Sequence, residues 1–275
     1  MSTQNGGGGR KVTVGELRDM KTRGERIAVL TAYDYLFARL VDEAGTDIIL
    51  VGDSLAQVLL GLDTTLSIGL DDMIYHATAV CRGVSRSLVV VDLPFLTYQV
   101  SAKQAVSNAG KVLKKTGANA VKLEGGSVEI VETIGRIVRA GIPVMGHLGY
   151  TPQSINALGG HRIQGRGDEG RERMIDEARR LEAAGVFAIV LELIPGDLAK
   201  EISSAISVPT IGIGAGAGCD GQVLVLHDML GLNTTFSPRF LRRFANLAED
   251  ASRAVQDYVR AVKEGEYPAP EHTFA

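Results

Sequence analysis

From about Val12 onward, short runs rich in Val, Ile and Leu alternate with longer stretches in which apolar positions recur with helical period. That alternation predicts parallel strands joined by crossover helices. The strand candidates are residues 27–33, 47–53, 87–92, 120–124, 143–147, 188–192, 210–214 and 222–227. Eight such runs is the number that closes a barrel. Most are apolar without interruption, as strands buried on both faces are. The pattern predicts an α/β fold, a (β/α)8 TIM barrel in a single domain, with a doubly wound open sheet as the alternative that spacing leaves. Helices are expected over 71–83, 101–117, 128–141 and 170–185, several closing on Ala-Gly or Thr-Gly, where glycine takes the left-handed conformation.

The two ends of the chain read differently. Residues 1–10 are polar and contain a tetraglycine, whose ordering loses too much backbone entropy to make an element, so a disordered tail is expected ahead of the barrel at 11–275. Past the eighth strand, 237–265 predicts a long charged amphipathic helix or helix pair. The segment Tyr267-Pro-Ala-Pro-Glu-His-Thr-Phe-Ala275 cannot continue a helix through two prolines.

A chain of 275 residues buries a sizeable core without staples. With 29 basic against 32 acidic side chains the formal charge is −3, so no broad basic field exists to hold nucleic acid or an anionic membrane. A small-molecule partner is expected. Cys81 and Cys219 form no CxxC or Cys/His cluster, which argues against a disulfide framework or zinc site and for a reducing compartment. The N-terminus lacks the apolar core of a signal peptide, and no apolar run approaches the roughly 18 to 20 residues that span a bilayer. The expectation is a soluble, cytoplasmic protein.

In a parallel barrel the chemistry sits where strands end, so a polar residue closing an apolar strand is informative. Four carboxylates do this: Asp53 in Val51-Gly-Asp-Ser54, Asp92 in Val91-Asp-Leu-Pro94, Glu124 in Lys122-Leu-Glu-Gly-Gly126 and Glu192 in Leu191-Glu-Leu193. Any one alone reads equally well as the cap of the next helix. Four on one barrel mouth repel each other unless cations neutralise them, and oxygen-only ligands favour a hard cation such as Mg²⁺. Side-chain alternation puts Lys122 on the same face as Glu124, with Val121 and Leu123 on the other. Lys122 therefore adds positive charge to the set, or else makes a simple ion pair with Glu124. Three carboxylates, one divalent ion and one ammonium sum to zero, which leaves the fourth carboxylate for acid–base work. Ser54 either meets a substrate oxygen or caps the following helix.

Other features are less specific. Ile211-Gly-Ile-Gly-Ala-Gly216 has the look of a phosphate cradle, though tight packing at a barrel rim explains it equally well. His147, ending the fifth strand, is a proton shuttle, a substrate ligand or a structural histidine. Residues 149–170 form a polar connection of the length that serves as an active-site lid. Cys81 and Cys219 are expected to pack rather than react.

Taken together, an ordered set of segments closely resembles the ketopantoate hydroxymethyltransferase family. It runs from Thr31-Ala-Tyr-Asp-Tyr35 through Val51-Gly-Asp-Ser-Leu55, Asp63-Thr-Thr-Leu66, Asp92-Leu-Pro-Phe95 and Val121-Lys-Leu-Glu-Gly-Gly126. It continues through Gly146-His-Leu-Gly-Tyr-Thr-Pro-Gln153, Gln164-Gly-Arg-Gly167, Leu191-Glu192, the Ile211–Gly216 run and His227-Asp228 to Tyr267-Pro and Glu271-His. The resemblance implies a (β/α)8 barrel, typically a decamer. It implies that Asp53, Asp92 and Glu124 bind Mg²⁺, that Ser54 and Lys122 contact the keto acid in a pocket also lined by Asp53 and Asp92, and that Glu192 is the general base. Ala56, Leu62 and Ser67 depart from the family pattern, all in the segment after the second strand and none on an implied ligand.

The reaction so implied moves a one-carbon unit from 5,10-methylenetetrahydrofolate to C3 of 3-methyl-2-oxobutanoate, giving 2-dehydropantoate and tetrahydrofolate through a Mg²⁺-stabilised enolate. Two other readings compete. One is a carbon–carbon lyase of the phosphoenolpyruvate mutase and isocitrate lyase type, which would need a reactive cysteine in a mobile loop. The other is a non-catalytic keto-acid or folate sensor.

Overall fold

The structure, a computed structural model, describes residues 10–274. The tail expected over 1–10 thus lies, Arg10 apart, outside the described residues. The chain divides between Val225 and Leu226 into two compact units.

The first unit is a closed barrel of eight parallel strands in sequence order: β1 Ile27–Thr31, β2 Ile48–Val51, β3 Leu88–Asp92, β4 Ala120–Lys122, β5 Val144–Gly149, β6 Ala188–Glu192, β7 Thr210–Ile213 and β8 Gly221–Leu224. β1 pairs with β8, aligning Ile27 with Gly221, and this pairing closes the ring. Around it run α1 Val14–Arg23, α2 Tyr35–Glu43, α3 Leu55–Val58, α4 Leu70–Gly83, α5 Ala102–Thr116, α6 Val128–Arg139, α7 Ile155–Leu158, α8 Gly167–Ala184 and α9 Gly196–Ala205. Thr13, Asp34, Ser101 and Ser127 cap α1, α2, α5 and α6 through their side-chain oxygens. Gly117 and Gly185 end α5 and α8 in the left-handed conformation.

The barrel interior is filled by one face of every strand. Ile27, Val29, Ile48, Leu50, Leu88, Val90, Ala120, Met145, Ala188, Val190, Ile211 and Val223 form a single buried cluster. Val12, Leu17 and Met20, from α1 and the residues before it, join that cluster at the end where the strands begin. Period-two alternation sends the other strand face, including Val121 and Leu123, outward, and both are fully buried.

No helix stands between β7 and β8 among the described residues. The glycines of that connection are packing positions: a Cβ on Gly216 would lie 3.2 Å from the Gly196 Cα, and one on Gly218 would lie 2.7 Å from the Lys200 Cβ. The run thus folds against α9, which favours the packing reading over the cradle.

The second unit holds α10 Leu226–Met229 and α11 Leu247–Glu264. The helix expected from 237 begins only at Leu247. Arg243 explains the delay, since its guanidinium donates to the carbonyls of Asn233, Thr234 and Phe236 and folds 233–243 into a loop on itself. No helix among the described residues is long and apolar enough to cross a membrane.

Candidate active site

Four strands carry the interior cluster up to the mouth and then change character. Moving two residues along the same face takes Val90 to Asp92, Ala120 to Lys122, Met145 to His147 and Val190 to Glu192. On β2 the same step takes Leu50 to Gly52. A Cβ at Gly52 would sit 2.8 Å from Ser54 Oγ and 3.6 Å from Asp92 Oδ2, so its missing side chain leaves room for the polar groups.

These groups meet. Lys122 Nζ lies 3.2 Å from Asp92 Oδ1, 3.8 Å from Glu124 Oε1 and 3.2 Å from His147 Nδ1. His147 bridges onward, with Nδ1 3.5 Å from Glu124 Oε1 and Nε2 3.2 Å from Glu192 Oε2. The Asp53 backbone N–H donates to Asp92 Oδ2 at 3.1 Å. Asp53, Asp92, Lys122, Glu124 and His147 are each at most 4% exposed. Glu192 is more open, its side chain 16% exposed. Leu193, directly after it, takes φ 47°, a left-handed conformation that costs a leucine energy and ends the strand abruptly behind the carboxylate. Ser54 makes no capping bond to α3, which removes one of its two readings; its Oγ lies 2.8 Å from the Tyr33 hydroxyl.

The electrostatics show an excess of negative charge. Burial, then Asp92 and Glu124, push the Asp53 carboxyl up to about 8. Burial also raises Asp92, with Glu124 adding to it against the pull of Lys122. Burial alone would lower the Lys122 ammonium, but Asp92, Glu124 and Asp53 hold it above its usual value. Burial would raise Glu124, yet His147 and Lys122 keep it low. Burial and Lys122 would lower the His147 imidazole, and Glu124 and Glu192 outweigh them, holding it up at about 9.

Among the described residues no three His, Cys, Asp or Glu side chains are already closed into a metal cage. The donor set nevertheless fits a hard cation. It is all oxygen and over-charged, and two buried oxygens, Asp92 Oδ1 and Glu124 Oε1, are held only by ion-pair contacts to Lys122 and His147 and make no well-aligned hydrogen bond. Mg²⁺ is commonly held by one or two carboxylates with waters and substrate completing the shell, so a closed protein cage is not required. A cleft of about 520 Å³ opens elsewhere, at the strand beginnings, lined by Arg10, Lys11, Glu16, Glu25, Arg26 and Arg86 among others. None of the mouth cluster lines it.

The ketopantoate hydroxymethyltransferase profile matches residues 11–270. The chain belongs to that family. A relative from Syntrophus aciditrophicus named 3-methyl-2-oxobutanoate hydroxymethyltransferase is 50% identical, with 100% of both chains covered. One of the same name from Parabacteroides distasonis is 56% identical over 94% of each. Among solved structures, phosphonopyruvate hydrolase superposes with a TM-score of 0.60 at 14% identity, covering 95% of this chain and 93% of that one. A 2,3-dimethylmalate lyase of the PEP mutase/isocitrate lyase superfamily gives 0.59 at 16%, covering 94% and 92%. At such identities the structures speak for the fold alone, and they share the family's barrel.

Sequence reasoning assigned no role to two members of this neighbourhood, Gln153, which closes the Gly146–Gln153 segment, and Tyr98. Gln153 Nε2 donates to Asp53 Oδ2 at 2.9 Å, and its backbone N–H donates to Glu124 Oε2 at 3.0 Å. The Tyr98 hydroxyl donates to Gln153 Oε1 at 2.8 Å and accepts from the Glu124 N–H at 3.2 Å. Neither closes a strand, so the rule that finds strand-end carboxylates has no means of finding them.

Proposed function

We propose that this chain transfers the one-carbon unit of 5,10-methylenetetrahydrofolate to C3 of 3-methyl-2-oxobutanoate, with one water molecule consumed to supply the new hydroxyl, giving 2-dehydropantoate and tetrahydrofolate, the opening step of pantothenate formation. The observation that carries this is the meeting of Asp53, Asp92, Glu124 and Glu192 around Lys122 and His147. It occurs in a chain matched over its whole length by relatives bearing that name.

Asp53, Asp92 and Glu124 are the residues that would hold Mg²⁺. When bound, it supplies a Lewis acid against which enolate charge develops. Lys122, held charged by its carboxylate neighbours, meets the keto-acid carboxylate and fixes the substrate's orientation, with Ser54, Asp53 and Asp92 lining the same pocket. Glu192 takes the C3 proton as general base. His147 Nε2 lies 3.2 Å from one of the Glu192 oxygens, and the partial exposure of Glu192 at the mouth suits a group that must reach substrate.

The assembly reading is a homo-oligomer, a decamer by family resemblance. On α11, Val255, Tyr258, Val259 and Val262 recur at i, i+3, i+4 and i+7, so they share one face, and all four are exposed in the single chain. The proposed setting is the cytoplasm, in keeping with two free cysteines.

The lyase reading lacks its nucleophile. Burial pushes the Cys81 thiol up to about 11 and raises that of Cys219, the reverse of what a reactive thiol needs.

Proton NMR of 3-methyl-2-oxobutanoate in D₂O tests the proposal. The expected result is Mg²⁺-dependent loss of the C3 proton signal, then 2-dehydropantoate only after methylenetetrahydrofolate is added. No exchange and no product with any divalent metal would overturn it.

A further inference from the structure

Gln153 sits on the connection after β5, in the short 3₁₀ turn Pro152–Ser154, yet it is buried among groups from three other parts of the barrel mouth. All four hydrogen-bonding positions of its side chain are used. Nε2 donates to Asp53 Oδ2 and to the Leu93 carbonyl, each at 2.9 Å. Oε1 accepts from the Tyr98 hydroxyl at 2.8 Å and from Gln99 Nε2 at 3.2 Å. An amide so placed has one orientation. Turning it over would set Oε1 against two acceptors, the Asp53 carboxylate and the Leu93 carbonyl.

The backbone of the same residue reaches a second carboxylate, donating to Glu124 Oε2 at 3.0 Å, while Glu124 Oε1 faces His147 Nδ1 at 3.5 Å and Lys122 Nζ at 3.8 Å. One residue therefore fixes an oxygen on each of two carboxylates that come from different strands, and it does so from a connection that is otherwise partly exposed: Ser154, Asn156, Ala157 and Gly159 all face solvent. A donor outside the ligand set that orients ligand oxygens commonly tunes affinity by about 10- to 100-fold.

We infer that Gln153 is a positioning residue that couples the connection after β5 to the cation site, so that divalent-cation binding at Asp53 and Glu124 and ordering of residues 150–158 are one linked event. The inference rests on the reading of these carboxylates as cation ligands. Linkage makes it reciprocal: a cation that holds Asp53 and Glu124 steadies Gln153, and loss of Gln153 weakens the cation.

Mn²⁺ titration of the full chain, followed by electron paramagnetic resonance, reads the affinity, and amide hydrogen exchange with and without Mn²⁺ reads the coupling. For the unaltered protein the expected result is tight Mn²⁺ binding with slowed exchange across 150–158. Gln153→Met keeps the size and removes the amide. It is expected to bind Mn²⁺ about 10- to 100-fold more weakly and to lose the Mn²⁺-dependent protection, while strand amides of β3 and β5 exchange as before. Tyr98→Phe keeps the ring and leaves Gln153 Oε1 only the longer of its two donors, Gln99 Nε2, so an intermediate loss in both readouts is expected, and it carries the test if Gln153→Met does not fold. Equal Mn²⁺ affinity and undiminished protection in the variant tested overturn the role of Gln153 alone. Absence of Mn²⁺ binding by the unaltered protein overturns the cation reading beneath it.

Discussion

The two ends of the barrel interior are built on the same strands and the same strand face, and they differ in almost everything else. Toward the strand beginnings, Ile27, Ile48, Leu88 and Ala188 pack with Leu17 and Met20 of α1, and the interactions are apolar contacts whose benefit scales with area removed from water. At the mouth, four residues further along β3 and β6, Asp92 and Glu192 meet Lys122, His147, Asp53 and Glu124, and charge decides the energy. The lower layers stabilise the fold whatever is bound. The upper layer is over-charged when no cation is present, so it costs stability, and it is where the proposed chemistry would take place. Such a division makes separate demands on separate substitutions, and each can be measured.

The largest expected effect is on rate. Glu192→Gln removes the proposed base while keeping its size, and C3 deuterium exchange of 3-methyl-2-oxobutanoate is expected to slow by about 10²- to 10⁴-fold. Because Glu192 lies at the more exposed rim, its urea midpoint is expected to stay closer to the unaltered protein than that of any interior truncation below it. Near-normal exchange in this variant would remove Glu192 from the mechanism.

Ile48→Ala addresses the opposite end. Ile48 is fully buried, aligned with Val29 and Leu88 on its two neighbours. The lost contacts and residual cavity are expected to cost about 2–5 kcal/mol in urea unfolding, with turnover per folded molecule preserved. A loss of turnover matching the loss of stability would show that the layers are not separable.

Next comes the pH dependence of the cation-free protein in a chelator. Asp53 is pushed up to about 8 from 3.8, so between those values the folded state holds a proton the unfolded state has released, and raising the pH favours unfolding. His147, up at about 9 from 6.5, acts in the same direction: its stabilisation is complete below 6.5 and is lost as the pH rises through about 9. Asp92, raised from 3.8 by burial, acts in the same direction as Asp53, while Glu124, held low, acts in the opposite direction and only below its ordinary 4.5, at the edge of this window. Stability should fall from about pH 4 to about pH 9, each proton limiting the slope to about 1.4 kcal/mol per pH unit. Asp53→Asn is expected to flatten the lower part of that fall, and Ile48→Ala to lower the whole curve without changing its shape. A fall equally steep in Asp53→Asn would contradict the charge account of the mouth.

What the sequence made legible follows the same division. Apolar runs mark the strands most plainly where both faces are buried, as along β2, β3 and β4, and parity along β4 places Lys122 beside Glu124 from the sequence alone. His147 was recognisable as a strand-end residue but not as the bridge between Glu124 and Glu192, since that role depends on how β4, β5 and β6 stagger. Gln153 and Tyr98 were illegible for a different reason: their partners are far off in sequence and they lie on connections, where no periodicity constrains which way a side chain points. The loop at 237–246 looked helical because its composition is, and Arg243 turning back on nearby carbonyls is a contact that composition does not encode.

The smallest expected effect marks the border between the layers. Ser101 Oγ accepts the Gln104 N–H at 3.2 Å and caps α5, only three residues beyond Tyr98 on the connection after β3. Ser101→Ala is expected to cost about 1 kcal/mol in urea unfolding, the usual worth of such a cap. If Tyr98 owes its place to Gln153 and the Glu124 backbone, fraying the first turn of α5 leaves it where it is, and Mn²⁺ affinity should not change. Tyr98→Phe, by contrast, cuts that connection directly. Should Ser101→Ala weaken Mn²⁺ binding as much as Tyr98→Phe does, the mouth would depend on the helix outside it, and the boundary between stability and chemistry would have to be drawn around the whole connection instead of at the barrel wall.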